Sequence, residues 1–138
     1  MKKILISLIV LFLSFGNKIV ADTTNSIKQI YEGKEDAKIT IITYESLTCG
    51  HCADFHKNVY PQLKKEFIDT GIVKIVFRHF PLDIAALNAS KVAQCNNDGK
   101  STLLHFLFSN QEKWVVGKTI NDANENLKRL LKDENINI

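Results

Sequence analysis

The residues best suited to chemistry are two thiols separated by two positions, in Cys49-Gly50-His51-Cys52. They follow, after the short loop Glu45 to Thr48, the run Lys38 to Tyr44, K-I-T-I-I-T-Y, whose β-branched and aromatic residues predict a strand apolar enough to be buried. They open a helical period in which Cys52, Phe55, Val59, Leu63 and Phe67 recur at steps of three and four, an amphipathic helix of about five turns. A thiol at a helix N-terminus faces unpaired N–H groups and the positive end of the helix dipole. Both lower its pKa from about 8.5 toward roughly 3.5–7.5. Cys49 is therefore expected to be the nucleophile. Cys52, three positions on, is placed to attack a mixed disulfide on Cys49 and release whatever is bound there. A protonated His51 would add positive charge beside the Cys49 thiolate; otherwise it is a solvated residue of the first turn. Gly50 removes bulk where a substrate backbone would approach.

Two competing uses of the same pair can be weighed from spacing. A c-type haem site needs a histidine directly after the second cysteine, and Ala53 stands there instead. Zinc could recruit His56 and His79 to Cys49 and Cys52, but no second close pair of Cys or His completes a compact four-ligand set. The expectation is thus no metal and no cofactor beyond a redox-active Cys49–Cys52 disulfide.

Other elements must hold the pair in place. Pro61 lies inside the helical period and should kink it near the Lys57 carbonyl, and Gly71 suits the left-handed residue that closes it. Residues 72–80 read as a second strand. Strand, helix and strand within residues 38–82 make a βαβ unit, whose two strands should run parallel. Residues 83–132 read as helical. Asp83 caps a helix reaching Ala93 to Cys95, Asn96 to Gly99 interrupts, Ser101 caps another, and Asp122 with Glu125 resembles a capping box before Leu127. Cys95 is expected to be a buried, inert thiol, or else half of a disulfide to another segment or chain. His79 and His105 read as structural, Trp114, Phe106 and Phe108 as core, and His56 as either lining the site or lying on the helix surface or core edge.

The chain has 138 residues, 45% of them hydrophobic, and a net charge of +3. Lys2 and Lys3 precede an apolar run to Phe15, and Ile19-Val20-Ala21 ends in a small residue, so residues 1–21 read as a secretory signal peptide cut after Ala21. The alternative is an uncleaved anchor; either one exports the domain behind it, and the expected location is the periplasm. The first cysteine is Cys49, so no lipid attachment site adjoins the apolar run. Cleavage removes three of the 18 cations, Lys2, Lys3 and Lys18, and leaves 15 against 15 acids in the domain of residues 22–138. A formally neutral domain has no electrostatic basis for a nucleic-acid partner.

The stretch Ile39 to Leu82, with Y-E-S-L-T-C-G-H-C-A-D-F-H, P-x-L-K-K-E-F-I-D-T-G and F-R-H-F-P-L, resembles the DsbA-like branch of the thioredoxin superfamily. The likeness continues through A-L-N-A-S-K-V-A-Q-C and L-H-F-L-F-S-N-Q-E-K-W and covers most of residues 30–114. It implies an α/β, partial thioredoxin-like fold with a helical insertion, in an exported protein-disulfide oxidoreductase whose redox pair is Cys49 and Cys52. Its partners would be proteins carrying thiols or disulfides, and a membrane-bound or soluble redox partner. The family's usual dipeptide between the cysteines is Pro-His; Gly-His is that of protein disulfide isomerases.

Two departures accompany the resemblance. The family places a proton-managing acid six residues before the first cysteine, where this chain has Thr43. Glu45, two residues on, is a substitute or a solvated loop carboxylate, and the latter is expected. The family also faces its dithiol with a cis-proline loop on later strands, and neither Pro61 nor Pro81 is a candidate for it. The expectation is a C-terminally truncated relative with the dithiol strand left as an open edge, and the alternative function is an inactive fragment that binds a partner.

Overall fold

The computed structural model describes residues 26–136, so the signal-peptide reading of residues 1–21 lies outside the described residues. Three strands form one sheet in the order β1-β3-β2: β1 (Ile30–Glu32), β2 (Ile39–Glu45) and β3 (Val73–His79). β2 and β3 run parallel, with Ile41 opposite Ile75 and Glu45 opposite His79, as the βαβ reading requires. β1 pairs antiparallel with the other side of β3, Ile30 against Phe77. Little in the sequence marks β1, three residues in a mostly polar stretch. Gly33 ends it at φ +97°, where a Cβ would come within 2.5 Å of the Val73 carbonyl.

β3, in the middle, is the buried strand; β2 is a sheet edge among the described residues. This corrects the expectation of a buried first strand. Ile39, Ile42 and Tyr44 of β2 are 51%, 45% and 60% exposed, because an apolar run is covered only where neighbours exist to cover it.

Helix α1 occupies residues 50–68, with α-helical turns at Gly50–Asp54 and Tyr60–Leu63 alternating with wider π turns at Phe55–Val59 and Lys64–Ile68. Pro61 has no N–H to offer the Lys57 carbonyl, and the wide turn directly ahead of it takes up the mismatch, with the Tyr60 N–H reaching back to the Phe55 carbonyl. Each extra residue rotates the rest of the helix by roughly 100°. The buried face therefore shifts: His56, Tyr60 and Ile68 are inside, while Val59 and Phe67 are 53% and 42% exposed. Gly71, at φ +80°, leads out of the segment as expected.

Four more helices complete the described chain: α2 (Ile84–Ala93), α3 (Thr102–Ser109), α4 (Gln111–Trp114) and α5 (Ile120–Asp133). Their apolar faces, including Ala89, Leu104, Leu107, Trp114 and Leu127, share one core with Ile30, Leu47, Ile75 and Phe77 of the sheet side. Asp83 caps α2 through the Ala86 N–H, as expected. Two other caps differ. The Ser101 hydroxyl makes no cap bond and turns to Glu32 instead, and the capping box belongs to Thr119 and Asp122, one turn before the predicted start. Among the described residues no helix is long and apolar enough to cross a membrane.

Candidate functional site

The turn that presents the two thiols is tied down from three directions. The Cys49 N–H bonds the Ser46 carbonyl at 3.0 Å. Thr48 donates to Asp83 at 2.7 Å, linking the turn to the cap of α2, and Ser46 accepts from the Leu82 N–H at 3.3 Å. Gln111 of α4 donates to the carbonyls of Leu47, 2.8 Å, and Cys49, 3.0 Å. Gln111 draws no notice in the sequence, because it lies 62 positions from Cys49 and nothing local marks the contact.

Cys49 is the N-cap of α1, with extended backbone, and its Sγ accepts from the Cys52 N–H at 3.4 Å. The two thiols have opposite acidities. A hydrogen bond from the Cys52 thiol, helped by the backbone N–H groups of Cys52 and His51, lowers the Cys49 pKa against the opposing effects of burial and the Glu45 charge. Burial, and after it the bond to Cys49, pushes Cys52 up to about 11. One thiol is therefore prepared to be an anion and its neighbour to keep its proton. The backbone N–H groups act as the helix start leads one to expect, with the Cys52 thiol as an added donor; His51 takes part through its N–H, and its ring lies exposed.

Open space adjoins the start of α1 and Cys52. A cavity of about 650 Å³ lies between α1 and the α3–α4 corner, against Gly50, His51, Asp54, Lys57, Gln111 and Glu112. A second, of about 320 Å³, is bounded by Thr43, Tyr44, Glu45, His51, Cys52 and Phe55 on the open side of β2. A Cβ on Gly50 would meet nothing within 4 Å, so this position stands clear of the protein.

Glu45 corrects the sequence reading. It is not a solvated loop carboxylate: it ends β2 at 6% exposure and accepts from His56 Nε2 at 2.8 Å. Its negative charge raises both thiol pKa values. β2 ends one residue later than the apolar run suggests, and the π turn swings His56 inward to meet it. His56 in turn lies 3.0 Å from His105, Nδ1 to Nδ1, and stacks on Phe108. His105 Nε2 lies 2.7 Å from Glu32, which also accepts from Tyr60 and Ser101 at 2.5 Å each. Burial opposes ionisation of Glu32, yet these bonds outweigh it and hold the carboxyl well below the usual range.

The remaining residues separate from the site. Cys95 is exposed, contrary to the expectation of a buried thiol, because α2 ends at Ala93 and the chain turns away before reaching it. His79 sits opposite Glu45 with its Nε2 buried and unbonded, and burial lowers its pKa. Among the described residues no three His, Cys, Asp or Glu side chains are grouped as metal ligands, so the set Cys49, Cys52, His56 and His79 does not converge.

Known proteins share the same outline. A family model described as thioredoxin matches residues 25–137. A Rickettsia bellii protein, named as a candidate protein-disulfide oxidoreductase, is 38% identical over 86 residues, covering 61% of this chain and 33% of its own. Disulfide bond formation protein D of Bacillus subtilis is 28% identical over 116 residues, covering 78% and 52% respectively. The crystal structure of Wolbachia pipientis alpha-DsbA1 superposes with a TM-score of 0.69 at 33% identity, over 79% of this chain and 55% of that one. The chain thus spans about a third to about half the length of these relatives.

Proposed function

The chain belongs to the thioredoxin family and resembles its DsbA-like members, and from that premise we propose that it exchanges disulfides with exported proteins through Cys49 and Cys52. The observation that carries the proposal is the opposed acidity of the two thiols on one helical turn. The Cys49 thiolate attacks a substrate disulfide, forming a Cys49–substrate bond and releasing one substrate thiolate. The Cys52 thiol then loses its proton and attacks Cys49 Sγ, and the second substrate thiolate leaves. Two electrons pass to the substrate, and the Cys49–Cys52 disulfide remains. Run backward, the same steps oxidise a dithiol.

The basic, apolar N-terminus supports export, and an oxidising compartment such as the periplasm is where such a pair finds protein substrates. A redox partner must restore the starting state after each turnover. The test is a titration of the Cys49 thiolate together with insulin reduction and dithiothreitol exchange. The expected result is a pKa below 8.5 with measurable exchange; an ordinary pKa without exchange overturns the proposal.

A second reading rests on the exposed edge of β2. Ile39, Ile42 and Tyr44, beside backbone groups with no strand partner among the described residues, suit pairing with a strand of another polypeptide. A monomer that is redox-active on its own argues against it.

A further inference from the structure

Glu45, His56, His105 and Glu32 form an unbroken hydrogen-bonded line of 2.8, 3.0 and 2.7 Å contacts, from the wall of the dithiol cavity through the aromatic core to the far side. Its far end is open, since Glu32 and Ser101 line another surface cavity, of about 460 Å³, with Tyr31, Gly33, Asp98 and Lys100. Nothing about disulfide exchange requires two facing imidazoles between two carboxylates, and such a line through a core is costly unless each bond is made.

Proton counting shows what the line can do. An ionised carboxylate only accepts, and the His56–His105 contact needs one donor. With both carboxylates ionised, the two rings therefore share three protons, one in each of the three hydrogen bonds, a placement that the need to satisfy each bond dictates. The same three protons can shift together toward either end. Shifted one way, Glu45 holds a proton and both rings are neutral; shifted the other way, Glu32 holds it. Each of these arrangements keeps every hydrogen bond, and carrying a proton the whole way is completed when the Glu45 carboxyl and the two rings turn their donors back along the line.

We propose that this line conducts the proton that Cys52 must lose or gain, carrying it between Glu45 and the solvent beside Glu32. The inference rests on the dithiol function proposed above. When Cys52 attacks the mixed disulfide, its S–H bond breaks and the proton goes to the Glu45 carboxylate. A proton leaves Glu32 for water as the three bonds shift, the Cys49–Cys52 bond forms and the substrate thiolate departs. When the disulfide is reduced, the order reverses. Among the described residues, the titratable and hydrogen-bonding neighbours are Cys49, Cys52 and His79 toward Glu45, and Tyr60, Ser101 and Lys64, the last at 3.4 Å, toward Glu32. Phe55, Tyr60, Phe77 and Phe108 wall the imidazoles, so the line is the polar route through this part of the core.

The measurement is the rate at which a mixed disulfide between Cys49 and glutathione is resolved by Cys52, read by acid quench and mass analysis at neutral pH. His105→Ala and Glu32→Gln should each slow resolution about 10-fold, less than the roughly 10²–10⁴-fold of direct acid–base catalysis. Added imidazole should restore the His105→Ala rate, because it can occupy the vacated space; a purely structural loss would not respond. Equal rates in both variants and the unmodified chain overturn the relay alone. A slowed His105→Ala that imidazole leaves unchanged also overturns it. An unmodified chain that never resolves the mixed disulfide overturns the dithiol function and the relay together. If neither variant folds, the unmodified chain decides: resolution rate should fall along a curve with deuterium fraction, as several moving protons require, and a straight line overturns the relay.

Discussion

At the dithiol end of the buried polar line, Glu45 accepts one hydrogen bond, from His56, and shares its cavity with Cys52. At the other end, Glu32 accepts from Tyr60, Ser101 and His105 with Lys64 close by. Both are carboxylates at the C-terminal end of a strand, yet their surroundings differ in kind. Glu32 is held as an anion by several donors, and its bonds fasten β1 to α1 and α3. Glu45 has one partner and two thiols in range of its charge. One small core can thus hold two carboxylates in unlike settings: the number of donors aimed at each decides how firmly it rests as an anion.

Acting at each end separately tests this contrast most sharply. Cys49→Ser should abolish exchange while leaving stability within about 0.5 kcal/mol, because serine is a strong N-cap and preserves the bond from the Cys52 N–H. Insulin reduction and urea unfolding on one sample would check both halves. At the opposite end, Glu32→Ala leaves the Tyr60 hydroxyl, 7% exposed as a residue, without its acceptor and loosens Ser101 and His105. A loss of about 2–3 kcal/mol in urea unfolding is expected.

Acid should separate the two ends by pH. The folded pKa of His79, beside Glu45, is lowered by burial, so the unfolded chain takes up that proton first and stability declines as pH falls below about 6.5. The folded pKa of Glu32 is also lowered, so its contribution is full above about 4.3 and is lost as pH falls through its folded value. Urea midpoints across pH should show both declines, and Glu32→Ala should remove most of the second. The smallest effect on stability belongs to Glu45→Gln. It removes a charge that raises both thiol pKa values, so thiolate absorbance should show Cys52 below its value of about 11. Gln can still accept from His56, so stability should change by about 1 kcal/mol or less.

The dithiol, its place between strand and helix, and the parallel βαβ unit are legible from the sequence because each is a local pattern. Cys49 and Cys52 sit one turn apart, and the apolar periods around them change from two to nearly four. Trp114 in the core and Asp83 as a cap are equally local inferences, and both hold. Val59 and Phe67 lie outside the core that their spacing predicts, because an apolar period assumes uniform turns and two π turns in α1 break that assumption. Cys95 is exposed where burial is expected because a short helix can end before a side chain reaches the interior.

Residue types and local spacing thus set the chemistry available to this protein: which side chains can exchange disulfides, and which elements present them. How that chemistry is supported was settled only by packing. Gln111 reaches the dithiol turn across 62 positions, and Glu45, His56, His105 and Glu32 meet from β2, α1, α3 and β1. Such contacts depend on the rotation of α1 and the register of β2, which are fixed by packing over the whole core and leave no trace in the spacing of residues along the chain.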